Sequence, residues 1–336
     1  MPVAPTDSYH RRIDYLRLSV TDRCNLRCVY CMPQEGMPKL AHDDILRYEE
    51  IVRLARITIG MGIRKVRITG GEPLVRRDVV HLCSRIAQLP GLESLTLTTN
   101  GRLLAEHAER LYQAGVQRIN ISLDTLDPEK YARITRCDCF DEVWRGIEAA
   151  QRAGFHPIKL NVVAMRGIND DEIENLAAIT IHRPFHVRFI EYMPVTADAL
   201  ENQGRFVGAD EILRRLKALG VLLEVNSHNS NGPARHYQLT GAAGKIGIIS
   251  PISHHFCATC NRLRLTADGK LRTCLFAGEE TDLQKPLRQG VTDDELAAII
   301  TRAIHKKPAR HPLDSPGLIE NPPRKCLDRP MAAIGG

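Results

Sequence analysis

Six short stretches of the chain alternate apolar and polar residues or run continuously apolar. Between them the apolar positions recur at helical spacing. The strand-like stretches are Tyr15–Val20, Lys65–Thr69, Ser94–Thr98, Arg118–Leu123, Ile158–Val163 and Val187–Tyr192. The helix-like ones are Tyr48–Met61, Val79–Leu89, Leu104–Ala114, Asp141–Ala153 and Asp171–Ile181. Each strand–helix unit runs to roughly 25–35 residues, the size of a βα repeat with a right-handed crossover. Such a succession predicts an α/β protein with a parallel sheet, either open and doubly wound or a partial (β/α)6, TIM-like barrel. The segments following the strands, Thr21–Cys31, Gly70–Pro73, Thr99–Gly101 and Asp124–Asp127, are polar and carry Cys, Gly or Asn. In both architectures sites form at the carboxyl ends of parallel strands.

The pattern changes after about Met193. A helix is expected over Ala209–Leu219, then short β pieces at Val221–Val225, Ala234–Leu239 and Lys245–Ile249. Asn261–Thr266 and Lys270–Leu275 flank Asp268–Gly269, a hairpin signal. A last helix is expected over Asp293–Lys307, acidic at its start and basic at its end as the helix dipole favours. The tail from Pro308 is Pro-rich and basic and ends Ile334-Gly335-Gly336. The expected division is a barrel over residues 1–200 and a β-containing C-terminal extension over 201–336.

The 336 residues, 43% hydrophobic and 26% charged, describe an ordinary globular protein with a sizeable core. No apolar run approaches the roughly 18 residues of a membrane span, and the first residues show no signal-peptide pattern. Ten cysteines in such a chain point to a reducing compartment, the cytoplasm, and to metal ligation rather than disulfides. The net charge of +6 is mild. With no dense Lys/Arg run and no recognised motif, nucleic acid is an unfavoured partner.

Cys24, Cys28 and Cys31 stand in the spacing C-x3-C-x2-C directly after the first strand. Zinc favours four protein ligands in C-x2-C pairs, or three and a water, so this spacing fits zinc poorly. It suits an iron–sulfur cubane with one iron left open. Cys257, Cys260 and Cys274 form a second triad. Here half of a zinc ribbon and a second open cluster both remain possible, because no obvious fourth ligand follows. Gly70-Gly71-Glu72-Pro73 after a strand is by itself an ordinary turn, although paired glycines let a ligand approach the backbone closely. Arg262 and Arg264 share one side of a strand. Alone they are exposed edge arginines; beside a metal site they suit phosphate. Lys159 sits in an apolar strand, where a cation needs a reason.

The cysteine triplet followed by the GGEP turn resembles the radical S-adenosylmethionine superfamily. The second triad with its Arg-x-Arg and the glycine-ended tail resembles, within it, the GTP 3′,8-cyclase family of molybdenum cofactor biosynthesis. The likeness runs through Leu16–Cys24, Arg67–Pro73, Thr98–Gly101, Asn120–Asp124, Phe189–Pro194, Cys257–Arg262 and Ile334–Gly336. The resemblance implies a partial barrel with two 4Fe–4S clusters, held by Cys24, Cys28 and Cys31 and by Cys257, Cys260 and Cys274. It implies an S-adenosylmethionine site at Tyr30, Gly71, Ser122 and Met193. It implies GTP contacts from Arg17, Arg67, Thr98, Lys159, Arg262 and Arg264. In that family, reductive cleavage of S-adenosylmethionine initiates closure of ribose C3′ of GTP onto C8 of guanine. A reductant or electron-donor protein, a following pathway enzyme and a homodimer are further implications. The absence of a G-x4-G-K-[ST] motif means that GTP would not be held as in a P-loop protein.

Cys137 and Cys139 fit no role in the resemblance and read as free thiols, Cys83 as a core residue and Cys326 as a free tail thiol. The alternatives are a twin-cluster radical enzyme acting on peptides and a non-enzymatic zinc scaffold or nucleic-acid binder. Peptide-modifying relatives usually carry more C-terminal cysteines than this chain.

Overall fold

The computed structural model describes residues 3–193, 204–225, 232–276, 278–313, 329 and 331–335. Six strands follow one another in the chain and in space: β1 (Tyr15–Ser19), β2 (Lys65–Thr69), β3 (Ser94–Thr99), β4 (Arg118–Ser122), β5 (Lys159–Ala164) and β6 (His186–Glu191). All five pairings are parallel. The crossovers carry α1 (Tyr48–Gly60), α2 (Val79–Ala87), α3 (Leu104–Gln113), α4 (Pro128–Thr135), α5 (Phe140–Arg152) and α6 (Ile173–His182). These strands agree with the sequence expectation to within a residue or two at each end, as do most of the helices.

Period-two alternation decides what each strand does. Leu16, Leu18, Val66, Ile68, Leu95, Leu97, Ile119 and Ile121 point into the helical layer and are almost fully buried. Their alternates, Arg17, Arg67, Thr96, Thr98, Asn120 and Lys159, point to the concave side and line one cavity. The polar half of the pattern is therefore the wall of a site.

The C-terminal part builds on both edges of the same sheet. After α7 (Ala209–Leu216) come β7 (Leu222–Glu224), β8 (Ala234–Leu239) and β9 (Lys245–Ile249); β9 pairs parallel to β6. β10 (Arg262–Leu265) crosses to the opposite edge and pairs parallel to β1, followed by antiparallel β11 (Lys270–Arg272) and β12 (Thr281–Asp282). The result is one open twelve-stranded sheet, ordered β12-β11-β10-β1-β2-β3-β4-β5-β6-β9-β8-β7. Then follow α8 (Gln284–Arg288) and α9 (Asp293–His305). Thr292 caps α9 in a reciprocal box with Glu295. The hairpin at Asp268–Gly269 forms, with Gly269 at φ 76°.

Among the described residues, α4, α8 and a short tail helix, α10 (Met331–Ile334), escaped the sequence reading. α4 carries Asp127 as N-cap, whose carboxylate accepts from the amides of Glu129 (2.9 Å) and Lys130 (3.1 Å), with Pro128 at the first position. Asp-Pro-Glu is a legible start signal. α8 spans a single turn and a half around Pro286, too short for a periodicity to register. Cys83 is buried in α2 as expected. Cys326, Pro194, Gly336 and the expected boundary at 200/201 lie outside the described residues. Among the described residues no helix is long and apolar enough to cross a membrane.

Candidate active site

The first cysteine triad sits on the loop leaving the carboxyl end of β1. Hydrogen bonds to α4 and to the turns after β2 and β3 pin that loop. Backbone amides of Arg27 and Val29 donate to Thr135 (3.0 Å) and Ile134 (2.9 Å) at the end of α4. The amides of Gly71 and Glu72 donate to Thr21 (2.7 Å) and Arg23 (2.8 Å). A Cβ on Gly71 would stand 2.4 Å from the Arg23 carbonyl oxygen, so glycine is required for this approach. Glu72 is buried, and its carboxylate gathers the Leu74 amide, the Thr99 hydroxyl and the Asn100 amide. Asn100 in turn reaches Asn25 (2.8 Å), beside Cys24.

Burial pushes the Cys24 thiol up to about 11 and the Cys31 thiol up to about 12. Cys28 is driven up by burial and then by the neighbouring Cys31, Asp124 and Cys24. Three half-buried thiols that oppose one another's ionisation form a donor set suited to a cation. An iron–sulfur cluster fits that chemistry. Among the described residues no three His, Cys, Asp or Glu side chains are grouped as a single metal ion needs; a cubane spreads its thiolates over separate irons and does not need this.

Tyr30 donates to Asp124 (2.7 Å), and Asp124 also accepts from the Val163 amide (2.8 Å). Burial raises Asp124 to about 6. Tyr30, Ser122 and Met193 line the central cavity; Gly71 lies outside its lining, on the turn after β2, packed against the cysteine loop.

The second triad lies at the other end of the sheet. Cys257 and Cys260 precede β10, which runs parallel to β1, and Cys274 follows β11, which returns antiparallel. All three therefore sit at the amino ends of the parallel strands, and all three line the cavity. Burial pushes Cys257 up. Cys260 is also raised by burial, but Arg262 and Lys307 outweigh it and bring the thiol down to about 7. Thiolate-rich, cation-flanked surroundings suit an anionic cluster. A thiol reacts through its thiolate. In iron-free protein at pH 7.5, iodoacetamide should therefore label Cys260 ahead of Cys24 and Cys31. Its rate should rise with pH through a midpoint near about 7. Peptide mass mapping reads this, and equal labelling of all three would contradict it.

Between the triads the cavity holds about 350 Å³. The register sets Arg264, Arg17 and Arg67 side by side on β10, β1 and β2. Like charges facing one another on neighbouring strands are destabilising. Arg17 is depressed well below its usual value by burial, then by Arg264 and Arg67. Arg264 falls to about 10 through burial and then Arg262. Lys159 falls to about 6 through burial, then Arg188, Arg118 and Arg67. Thr98 and Arg262 complete the expected set, so the six residues Arg17, Arg67, Thr98, Lys159, Arg262 and Arg264 all face one space.

Arg188 belongs with them and was not expected. It sits one alternation into β6 opposite Asn161, burial lowers it to about 10, and its buried Nε finds no partner among the described residues. The signal was present: a cation at an inward position of a strand, as at Lys159. Arg11 and Lys307 were also missed, because both reach the second triad from sequence-distant segments. The tail enters the site too. Arg264 donates to the Gly335 carbonyl (2.7 Å), Met331 lines the cavity, and the Ala332 amide bonds the Cys31 thiol. Cys137 accepts from Arg102 (3.4 Å), and Cys139 is buried at the start of α5.

Residues 18–179 match the Radical SAM superfamily model, and residues 185–313 match Molybdenum Cofactor Synthesis C. The GTP 3′,8-cyclase of Heliobacterium modesticaldum is 49% identical over 98% of this chain and 99% of its own. That of Pelotomaculum thermopropionicum is 51% identical over 91% of this chain and 94% of its own. In fold, the chain is similar to Streptococcus suis SuiB bound to S-adenosylmethionine. The TM-score is 0.58 at 17% identity, covering 85% of this chain and 68% of that one.

Proposed function

The chain belongs to the GTP 3′,8-cyclase family, radical S-adenosylmethionine enzymes of molybdenum cofactor biosynthesis, and on that premise we propose how its residues divide the work. Residues 1–200 carry the S-adenosylmethionine-cleaving end and 201–336 the end that receives the guanine. Cys24, Cys28 and Cys31 hold one 4Fe–4S cluster; Cys257, Cys260 and Cys274 hold a second. The clusters and S-adenosylmethionine supply the one-electron chemistry. Everything else falls to the protein: holding GTP, orienting it and excluding water.

The observation that carries this reading is the row of half-buried and buried cations between the two triads. Arg17, Lys159, Arg188 and Arg264 are each shifted down by burial and then by neighbouring cations, with Arg67 beside Arg17 on β2. A triphosphate relieves that repulsion, and guanidinium pairs with phosphate oxygens through two parallel hydrogen bonds. Arg262, stacked over Phe256 at 4.6 Å, stands beside the second triad, where the base would lie. Thr98 adds a neutral hydroxyl. At the other end Tyr30, Gly71, Ser122 and Met193 border the methionine side of S-adenosylmethionine, and Asp124 fixes the Tyr30 hydroxyl. The gathering of strand-end loops around that side keeps the reacting atoms away from bulk water. The Gly335 carbonyl on Arg264 closes the same side from the tail. A cytoplasmic homodimer, fed by an electron-donor protein and passing its product to the next pathway enzyme, completes the proposal.

Lys159 gives a direct test. Its pKa of about 6 leaves it largely neutral at pH 7.5. A bound triphosphate favours the charged form. GTP binding should therefore take up a proton near pH 7.5 and weaken as pH rises. Calorimetry in two buffers of different ionisation enthalpy reads the proton count. Lys159→Met should lower that count; an equal count in the variant would remove Lys159 from the phosphate site.

A further inference from the structure

Lys307 is a lysine with 2% of its surface exposed, just beyond the end of α9. Its Nζ donates to the carbonyls of Arg262 (3.0 Å) and Thr273, and it bonds the Cys260 thiol. Arg262 lies two residues after Cys260, and Thr273 lies one before Cys274. One ammonium thus joins both cysteine-bearing segments. The residues around it form a strap over the second triad. Arg11 donates to the carbonyls of Pro308 (2.7 Å), Ala309 (3.1 Å) and Cys257 (2.9 Å) and is itself held by Asp7 (2.6 Å). The His311 amide bonds the Cys257 thiol.

Among the described residues, Arg11, Arg262, Arg264 and Lys307 stand near these thiols, and their surroundings differ; Arg264 lines the cavity and faces the nucleotide site. Arg262 lines the cavity and faces the nucleotide. Arg11 is neutralised by its ion pair with Asp7. Lys307 is outside the cavity lining and meets carbonyls and a thiol. Its contacts are with protein groups and none is with the cavity, so a bound substrate does not compete for them. Buried, it is screened little by salt. Hydrogen bonds to ligand sulfurs, nearby charge and solvent exposure set the reduction potential of an iron–sulfur cluster. A fixed positive charge on a ligand sulfur favours the reduced, more negative state.

We propose that Lys307 raises the reduction potential of the cluster held by Cys257, Cys260 and Cys274, acting as a positioning and tuning residue rather than a catalytic one. This rests on reading that triad as a cluster site. Electron addition to the cluster is a one-electron reduction by an external reductant such as dithionite, with no bond formed or broken.

The test is a potentiometric titration of the reconstituted full chain, followed by electron paramagnetic resonance, with iron counted in each variant. Lys307→Gln keeps an N–H donor but loses the charge; Lys307→Arg keeps the charge. The expected result is a second-cluster potential lowered in Lys307→Gln by a tenfold change in the reduced-to-oxidised ratio, about 59 mV for one electron, and largely restored in Lys307→Arg. The first cluster should not move. An unshifted potential in Lys307→Gln overturns the proposal. So does loss of the second cluster from Lys307→Gln with Lys307→Arg retaining it unshifted, which assigns the lysine a structural clamp alone. If the unaltered chain holds a single cluster and Cys274→Ser loses no iron, the reading of the triad fails instead.

Discussion

Cys274→Ser is expected to separate two activities that the unaltered protein couples. 5′-Deoxyadenosine should still form from S-adenosylmethionine under reductant, while cyclised nucleotide falls on the order of 10²-fold or more. The reason is position. Cys274 lines the cavity at the amino ends of the strands, whereas Cys24, Cys28 and Cys31 sit on the loop at the carboxyl end of β1. On the proposed reading, losing one ligand of the second triad disturbs where the base rests, and misplacing a reacting centre by about 1 Å can cost about 10²-fold. Cys28→Ser is the contrast: both products should fall to background, since the cleavage site itself is lost. Chromatography of anaerobic reactions measures both. Loss of 5′-deoxyadenosine in Cys274→Ser would mean that the two triads do not serve separate ends of the site.

Glu191→Ala should be the most damaging single change outside the cysteines. Glu191, fully buried at the end of β6, accepts from the amides of Ala209 (2.8 Å), Ile252 (2.9 Å) and Ser253 (3.1 Å), and from the Ser253 hydroxyl. It therefore joins the start of α7 to the loop that leads into Cys257. Truncation strands two buried amides, those of Ala209 and Ile252, each costing about 1–3 kcal/mol when unsatisfied, and a part-buried third at Ser253. A loss of about 2 kcal/mol or more follows, seen as a fall of several degrees in the melting temperature. Iron should leave the second triad first, because the loosened loop is the one entering it. Calorimetry and iron analysis of the variant check both. A melting temperature unchanged within a degree would show that water replaces the carboxylate without cost.

How much of this was legible follows the range of each interaction. Strands β1–β6 were read nearly residue for residue because their signal is local: period two, punctuated by Gly, Asn and Cys. The cysteine spacings and the GGEP turn were local as well. The placement of β10 beside β1 was not, since that pairing joins residues far apart in the chain and leaves no mark on either segment's pattern. Yet it is this pairing that sets Arg264 beside Arg17 and carries the second triad to the far end of the cavity. Arg11 and Lys307 were invisible for the same reason. Arg188 is different: its inward position on β6 could have been read from the same alternation that made Lys159 conspicuous. The start of α4 was readable from Asp127-Pro128-Glu129. Of the site residues, Arg17, Arg67 and Thr98 were singled out through resemblance; alternation then accounts for why they share a wall.

The most direct measurement counts 5′-deoxyadenosine and cyclised nucleotide in anaerobic reactions of the reduced, iron-reconstituted chain with S-adenosylmethionine, with and without GTP. If the cavity between the triads holds GTP for reaction, 5′-deoxyadenosine should form faster with GTP than without it, and cyclised nucleotide should accumulate alongside it. 5′-Deoxyadenosine forming no faster with GTP than without it would contradict that account.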